Sequence, residues 1–294
     1  MNPVIFPVSG VETWLWLPPL AALVIAFFTS MVGISGAFLL VPFQISAFGF
    51  ASPAASATNL VFNLVAIPGG MYRYWRENRL FFPLALVITV GGAPGTLVGA
   101  WLRTHWLAER ASFEYFVAAV LLYLAWRMLA DLRRQAAMAP AHEPVRMLSW
   151  SGREMRFAQG DREYLFAVPS MLGFSFLVGA IGTAYGIGGG SFMVPLCLAF
   201  YGLPVHAIAG ATLTATFLTS GIALAAYTWL PVPEGVAARP DWWLGLAFGL
   251  GGLVGAYLGA RFQRRVPQRW LRGFLALLLL GLVLRYLWPG SPGG

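Results

Sequence analysis

Long apolar runs, separated by short polar loops, follow one another along the whole chain. They fall at about 13–32, 37–50, 54–72, 81–102, 113–130, 164–184, 191–203, 205–230, 242–260 and 270–288. A membrane-spanning helix takes about 20 residues, and most of these runs are long enough to predict one. The runs 37–50 and 191–203 are too short. Each follows a glycine cluster, Gly33-Ile34-Ser35-Gly36 in the first case and Gly186-Ile187-Gly188-Gly189-Gly190 in the second. From 132 to 163 the chain turns polar and Arg-containing, which reads as a linker between two membrane repeats, 1–131 and 164–294.

The two glycine clusters align with one another. At the same offset Val41-Pro42 meets Val194-Pro195, Gly49 meets Gly202, Leu60 meets Leu213 and Tyr74 meets Tyr227. Later, Leu97-Val98-Gly99-Ala100 meets Leu253-Val254-Gly255-Ala256. Any one match is weak, because Gly and Pro are common in membrane helices. A nearly constant offset kept over so long a stretch predicts two copies of one unit.

The arginines bear on orientation. If 13–32 and 37–50 form a hairpin, each half crosses an odd number of times and the halves are inverted. The linker side then holds 15 arginines and the other side four: Arg103, Arg110, Arg239 and Arg285. If 13–50 is one broken helix, the halves are parallel and the split falls to 12 against 7. Basic residues collect in cytoplasmic loops, so the inverted arrangement is expected, with the linker in the cytoplasm and both termini outside. In this reading each arginine is first a topology signal or a lipid-headgroup contact.

Composition agrees. Of 294 residues 59% are hydrophobic and 10% charged, with mean hydropathy +0.71. Soluble domains run about 45–50% apolar and 25% charged. A soluble enzyme, a disordered chain and a nucleic-acid binder are excluded. The prediction is an all-α polytopic membrane protein of two inverted repeats, each a glycine-broken helical hairpin plus three transmembrane helices. The net charge of +8 comes without any lysine. The single Cys197 excludes an internal disulfide and reads first as a small packed residue. The Arg-free first ten residues do not suggest a cleaved signal peptide. Tryptophans such as Trp14, Trp16, Trp106, Trp229 and Trp288 cluster at run ends, as an interfacial belt would.

The motif pair Gly33-Ile34-Ser35-Gly36 with Val41-Pro42, and Tyr185-Gly186-Ile187-Gly188-Gly189-Gly190-Ser191 with Val194-Pro195, resembles the duplicated signature of the TauE/SafE sulfite exporter family, also called the 4-toluenesulfonate uptake permease family. The resemblance covers nearly the whole chain outside the linker. It departs in the first half, where Ser35 and Ala37 stand opposite Gly188 and Gly190. It implies a carrier of sulfite or of organosulfonates such as sulfoacetate and sulfolactate, with the lipid bilayer as its other partner. No cofactor or metal is implied.

The residues suit an anion. Glycine turns inside an apolar run survive only against protein or a watery cavity. The helix after each turn offers backbone N–H groups and the positive end of its dipole, and glycine lets an anion approach. Gly33, Ser35 and Gly36, with Gly186, Gly188 and Gly189, are therefore the expected backbone ligands; close helix packing is the alternative. Side chains of Ser191, Asn59, Asn63, Thr212 and Thr216 would complete the site, with Gln44 expected to face the same cavity. Asn59/Asn63 and Thr212/Thr216 are aligned pairs at i, i+4, each on one helix face. Interhelical hydrogen bonding is their alternative role.

No acid falls inside an apolar run, away from its ends. Proton-coupled carriers commonly use one. Downhill export of an anion needs none, since the membrane potential supplies about 2.3 kcal/mol per charge per 100 mV. Gly33-Ile34-Ser35-Gly36 also resembles the nucleophile turn of rhomboid proteases, with His206 as the candidate base. Gly188 at the position equivalent to Ser35 speaks against an enzyme. A passive anion channel stays open as an alternative. The segment 132–163 is available for homodimer contacts or regulation.

Overall fold

The computed structural model describes residues 3–31, 35–78, 80–133, 145–190, 192–203, 205–262 and 268–288. Among the described residues ten helices follow the ten apolar runs: α1 (Leu17–Met31), α2 (Ala37–Phe48), α3 (Pro53–Arg76), α4 (Phe82–His105), α5 (Arg110–Arg133), α6 (Val168–Tyr185), α7 (Met193–Tyr201), α8 (Val205–Trp229), α9 (Trp242–Phe262) and α10 (Gln268–Leu287). Five of them, α4, α5, α6, α8 and α9, contain stretches long and apolar enough to cross a membrane. Large apolar side chains such as Leu20, Val90, Leu250 and Leu277 point outward, as lipid requires.

Glycine ladders set the packing. On α4, Gly91, Gly95 and Gly99 lie against Leu172, Phe176 and Ala180 of α6. On α9, Gly251, Gly255 and Gly259 lie against Pro19, Leu23 and Phe27 of α1. A Cβ at Gly91 would stand 2.7 Å from the Leu172 carbonyl oxygen, and one at Gly255 would stand 2.8 Å from the Leu23 Cα. Small residues every fourth position let such helices touch backbone to backbone. Both ladders ascend together, so α4 runs parallel to α6 and α9 parallel to α1.

The rest of the pairing is reciprocal. α3 packs on α9, α4 on α8, α3 on α8, and α5 on α10. Gly245 meets Val61 and Gly249 meets Val65, so α3 and α9 are parallel. Gly70 meets Leu213 while Asn63 meets Ser220, so α3 and α8 are antiparallel.

Each short helix folds back on its predecessor. Met193 lies beside Ser175, Cys197 beside Met171, and Tyr201 beside Ser170. In the first half the tip residue Gly36 packs on Ala26, and Phe43 and Phe48 reach back to Phe248 near the start of α9. With 15 and 12 residues in the first hairpin and 18 and 9 in the second, no arm exceeds about 27 Å at 1.5 Å per residue. The longest arm, α6, is still long and apolar enough to cross a membrane, whereas the returning arms α2 and α7, at about 18 and 14 Å, fall well short of a hydrocarbon core about 30 Å thick.

Small sheets cover the two ends. At one end β3 (Val145–Trp150), β4 (Glu154–Gln159) and β5 (Arg162–Ala167) form an antiparallel meander. The polar reading of 132–163 did not foresee it. Alternation along β4 buries Met155 and Phe157. Phe157 packs at a tilt on Phe81 just before α4, and Phe166 meets Tyr201 at the end of α7. At the other end β1 (Val4–Ile5) and β2 (Glu12–Thr13) form a small hairpin. Asp241, buried at the start of α9, holds it: its Oδ2 accepts from Val8 N, Ser9 N and Ser9 Oγ.

Candidate functional site

α3 is the spine of the site. Its first turns face the tip of the second hairpin, and its later turns face an open cavity. Gly33 and Ser191 lie outside the described residues, as does the ring of His206. The remaining expected residues divide between tip and cavity, with Gln44 apart.

The second tip needs glycine for its conformation. Gly186 and Gly188 sit at φ +98° and +80°, which side chains rarely adopt. The N–H groups of Gly186, Ile187 and Gly188 all converge on the carbonyl oxygen of Gly182, at 2.9, 2.8 and 3.2 Å. The Gly189 N–H donates to Thr219 Oγ1 at 3.0 Å. Space also demands glycine here. A Cβ at Gly186 would meet Ser56 Cα at 2.7 Å, and one at Gly190 would meet Thr216 Oγ1 at 2.5 Å. The tip is wedged between α3 and α8.

Asn59 and Asn63 reach across to this tip. Asn59 Nδ2 donates to Gly186 O at 2.8 Å and to Ala37 O, at the start of α2, at 3.0 Å. One buried amide thus ties both hairpin tips together. Asn63 Nδ2 donates to Ile187 O and to Ser220 Oγ. The Oδ1 atoms of both residues are buried without a partner. Tyr185 adds a further link between tips, its hydroxyl donating to Phe38 O at 2.7 Å. Thr212 and Thr216 bond back to Ala209 O and Thr212 O of their own helix. Gln44 is fully buried in α2, with neither amide atom partnered. Cys197 is buried near the Met171 sulfur.

Ser35 and Gly36 belong to the other feature, a cavity of about 540 Å³. Its walls come from Ser30, Phe62, Gly70 and Tyr74, with Gly252 and Tyr257 of α9. It runs from the C-terminal ends of α3 and α9 and stops at the first tip. The lining is largely apolar, with the hydroxyls of Ser30, Ser35, Tyr74 and Tyr257 as its polar side-chain groups. Ser35 Oγ accepts weakly from Ala37 N at 3.3 Å. Among the described residues the fully buried carboxylate is Asp241, at the other end of the molecule.

The sequence reading missed Arg103. It counted this residue with the loops, one position beyond the run 81–102. In the structure it lies in the last turn of α4 and is completely buried. Nε donates to Ser56 Oγ at 3.1 Å, and the terminal nitrogens donate to Leu107 O and Ala51 O. The guanidinium lies 3.5 Å over the Phe113 ring. A long apolar run ending in a basic residue gives little warning of burial. The hydroxyls that complete the cluster, Ser56, Thr219 and Ser220, carry no sequence signal beyond being polar within apolar helices.

The family described as Sulfite exporter TauE/SafE matches residues 19–286. The chain is 23% identical to "Probable membrane transporter protein YunE" of Bacillus subtilis (strain 168) over 270 residues, 87% of this chain and 92% of that one. It is 24% identical to "Probable membrane transporter protein y4hK" of Sinorhizobium fredii over 245 residues, 82% of this chain and 85% of that one. No solved structure matches. The matched region takes in both hairpins, all of α3 to α9 and nearly all of α1 and α10: the chain belongs to the TauE/SafE family and is a membrane transporter.

Proposed function

We propose that the protein exports small sulfur-containing anions, sulfite or organosulfonates such as sulfoacetate and sulfolactate, across the cytoplasmic membrane by alternating access. The observation that carries this reading is the cavity that enters between α3 and α9 and ends at the glycine tip of the first hairpin. Its size falls in the range of small-molecule sites, about 300–1,000 Å³. Among the described residues its lining offers hydroxyl donors and no carboxylate. Beyond it, both tips and the Asn59 bridge close the way. A path open to one end and sealed at the other is one state of an alternating cycle.

Two inverted repeats explain the reciprocal helix pairing. Under inversion α1 on α9 becomes α6 on α4, and α3 on α9 becomes α8 on α4, which are the pairs that pack. The arginine excess then assigns the cavity end and the β3–β5 sheet to the cytoplasm. In this state the second tip has its N–H groups on Gly182 and Thr219. Substrate entering the cavity therefore meets the first tip and the Ser35 hydroxyl.

Counterflow in proteoliposomes tests the reading. Sulfite or a sulfonate on the far side should accelerate uptake of the labelled anion, and Ala66→Trp, which fills the cavity, should abolish it. Flux that never saturates and shows no counterflow would make the protein a channel. Counterflow with carboxylates alone would overturn the substrate class.

A further inference from the structure

Arg103 is a positive charge in the interior, with no negative partner among the described residues. Its acceptors, Ser56 Oγ and the carbonyls of Leu107 and Ala51, are all neutral. Among the described residues no carboxylate pairs with it. A buried charge is costly unless something opposes it, and an intramembrane cation marks a functional site by default. Neutral donors could have tied the same loops without that cost.

The repeat sharpens the point. By the match of Leu97-Val98-Gly99-Ala100 with Leu253-Val254-Gly255-Ala256, the residue equivalent to Arg103 is Gly259. Gly259 lies against Phe27 and Ser30, and Ser30 lines the open cavity. The unit thus folds without the charge. One end has a cavity where the other has an arginine knot. Along α3, Ser56 and Gly70 mark these two ends, roughly 20 Å apart at 1.5 Å per residue, with Asn59 and the tips between them.

The knot also touches the second tip. Ser56 Oγ accepts from Arg103 and itself donates to Ala184 O at 3.1 Å, two residues before Gly186. Whatever draws the guanidinium away changes the group that holds the tip.

We propose that Arg103 is an anion-binding latch at the end opposite the cavity. In the present state its guanidinium is parked on the Ala51 and Leu107 carbonyls and keeps that end shut. When an anion reaches this end its oxygens replace those carbonyls, in the paired geometry that suits guanidinium. The loops at Ala51 and Leu107 are then released. The anion is the missing counter-charge, and its binding and the opening of the gate are one exchange of acceptors. This rests on the anion-transport reading.

The test uses purified full-length protein, with sulfite, sulfoacetate and acetate as probes. Thermal stabilisation of the wild type by a sulfur anion comes first; its absence would sink the transport reading whatever Arg103 does. Given that stabilisation, Arg103→Gln should weaken apparent anion affinity at least tenfold, and Arg103→Lys, which keeps the charge, should weaken it less. Ala51→Cys reports the gate. An impermeant maleimide should label it slowly in the wild-type background and faster with anion. With Arg103→Lys labelling should be fast from the start, since an ammonium cannot span the same acceptors. Wild-type affinity in a monodisperse Arg103→Gln protein would overturn the proposal. If Arg103→Gln does not fold, Ala51 labelling that ignores the anion, and is equal in wild type and Arg103→Lys, overturns it equally.

Discussion

Replacing Asn59 by Leu should separate the two hairpin tips more than any other single change in α3. The side chains are close in size, so the cost is mainly polar. The substitution removes two buried hydrogen bonds, to Ala37 O and Gly186 O. Leaving a buried acceptor unpaired costs about 1–3 kcal/mol in soluble proteins, while interhelical hydrogen bonds in membranes average nearer 0.6 kcal/mol. Two bonds at a dry junction put Asn59→Leu at about 1–4 kcal/mol. Asn63→Leu removes one bond to a tip carbonyl, Ile187 O, and one accepted by the Ser220 hydroxyl, which keeps its own proton to donate elsewhere. It should cost less. Asn59→Asp should cost most at neutral pH, because an ionised carboxylate would face two carbonyl oxygens. Reversible unfolding in mixed micelles of rising sodium dodecyl sulfate measures all three. Equal stability of Asn59→Leu and wild type, or a larger loss for Asn63→Leu, would refute the bridge.

Three further outcomes are expected. Gly255→Ala drives a methyl into the Leu23 backbone and should cost about 1–3 kcal/mol, as overpacking does, whereas Gly281→Ala, with open space around it, should cost nothing in the same unfolding assay. Ser35→Ala should keep most sulfur-anion counterflow, since Ser30, Tyr74 and Tyr257 offer the cavity three other hydroxyls; complete loss would make the Ser35 hydroxyl the principal anion ligand. Asp241→Ala removes a carboxylate that accepts from Val8, Ser9 and Leu244, at about 1.5–3 kcal/mol for each charged hydrogen bond. Limited proteolysis should then cut within the first 13 residues while the helices stay protected.

The ten helices were legible because each coincides with an apolar run. The ladder glycines and the tip glycines were legible as types and not as roles. Gly95 and Gly186 look alike in sequence, yet one admits a neighbouring backbone and the other turns the chain at positive φ. The β3–β5 sheet was hidden by its charges. The alternation Glu154-Met155-Arg156-Phe157 has a strand's period, but the arginines around it gave the segment the composition of a linker. The amides of Asn59 and Asn63 were expected to meet a ligand, and in this state they hold carbonyls of the opposite tip. Nothing in a sequence tells a donor aimed at a ligand from one aimed at backbone. Arg103 was lost for a related reason: burial at the end of a helix depends on which loops fold over it, here those carrying Ala51 and Leu107.

The crowding at Gly182 bears on how the second tip can move. Three N–H groups share its carbonyl oxygen, which has only two lone pairs. None of the three is fully rewarded, so detaching one lets the others improve. The tip is oversubscribed by design of the chain, and the energy needed to reshape it is less than three separate bonds would demand. Such a turn behaves as a soft spring already loaded with donors. On the proposed anion-transport reading, an oxyanion that takes one of those N–H groups would relieve that competition instead of breaking three separate bonds.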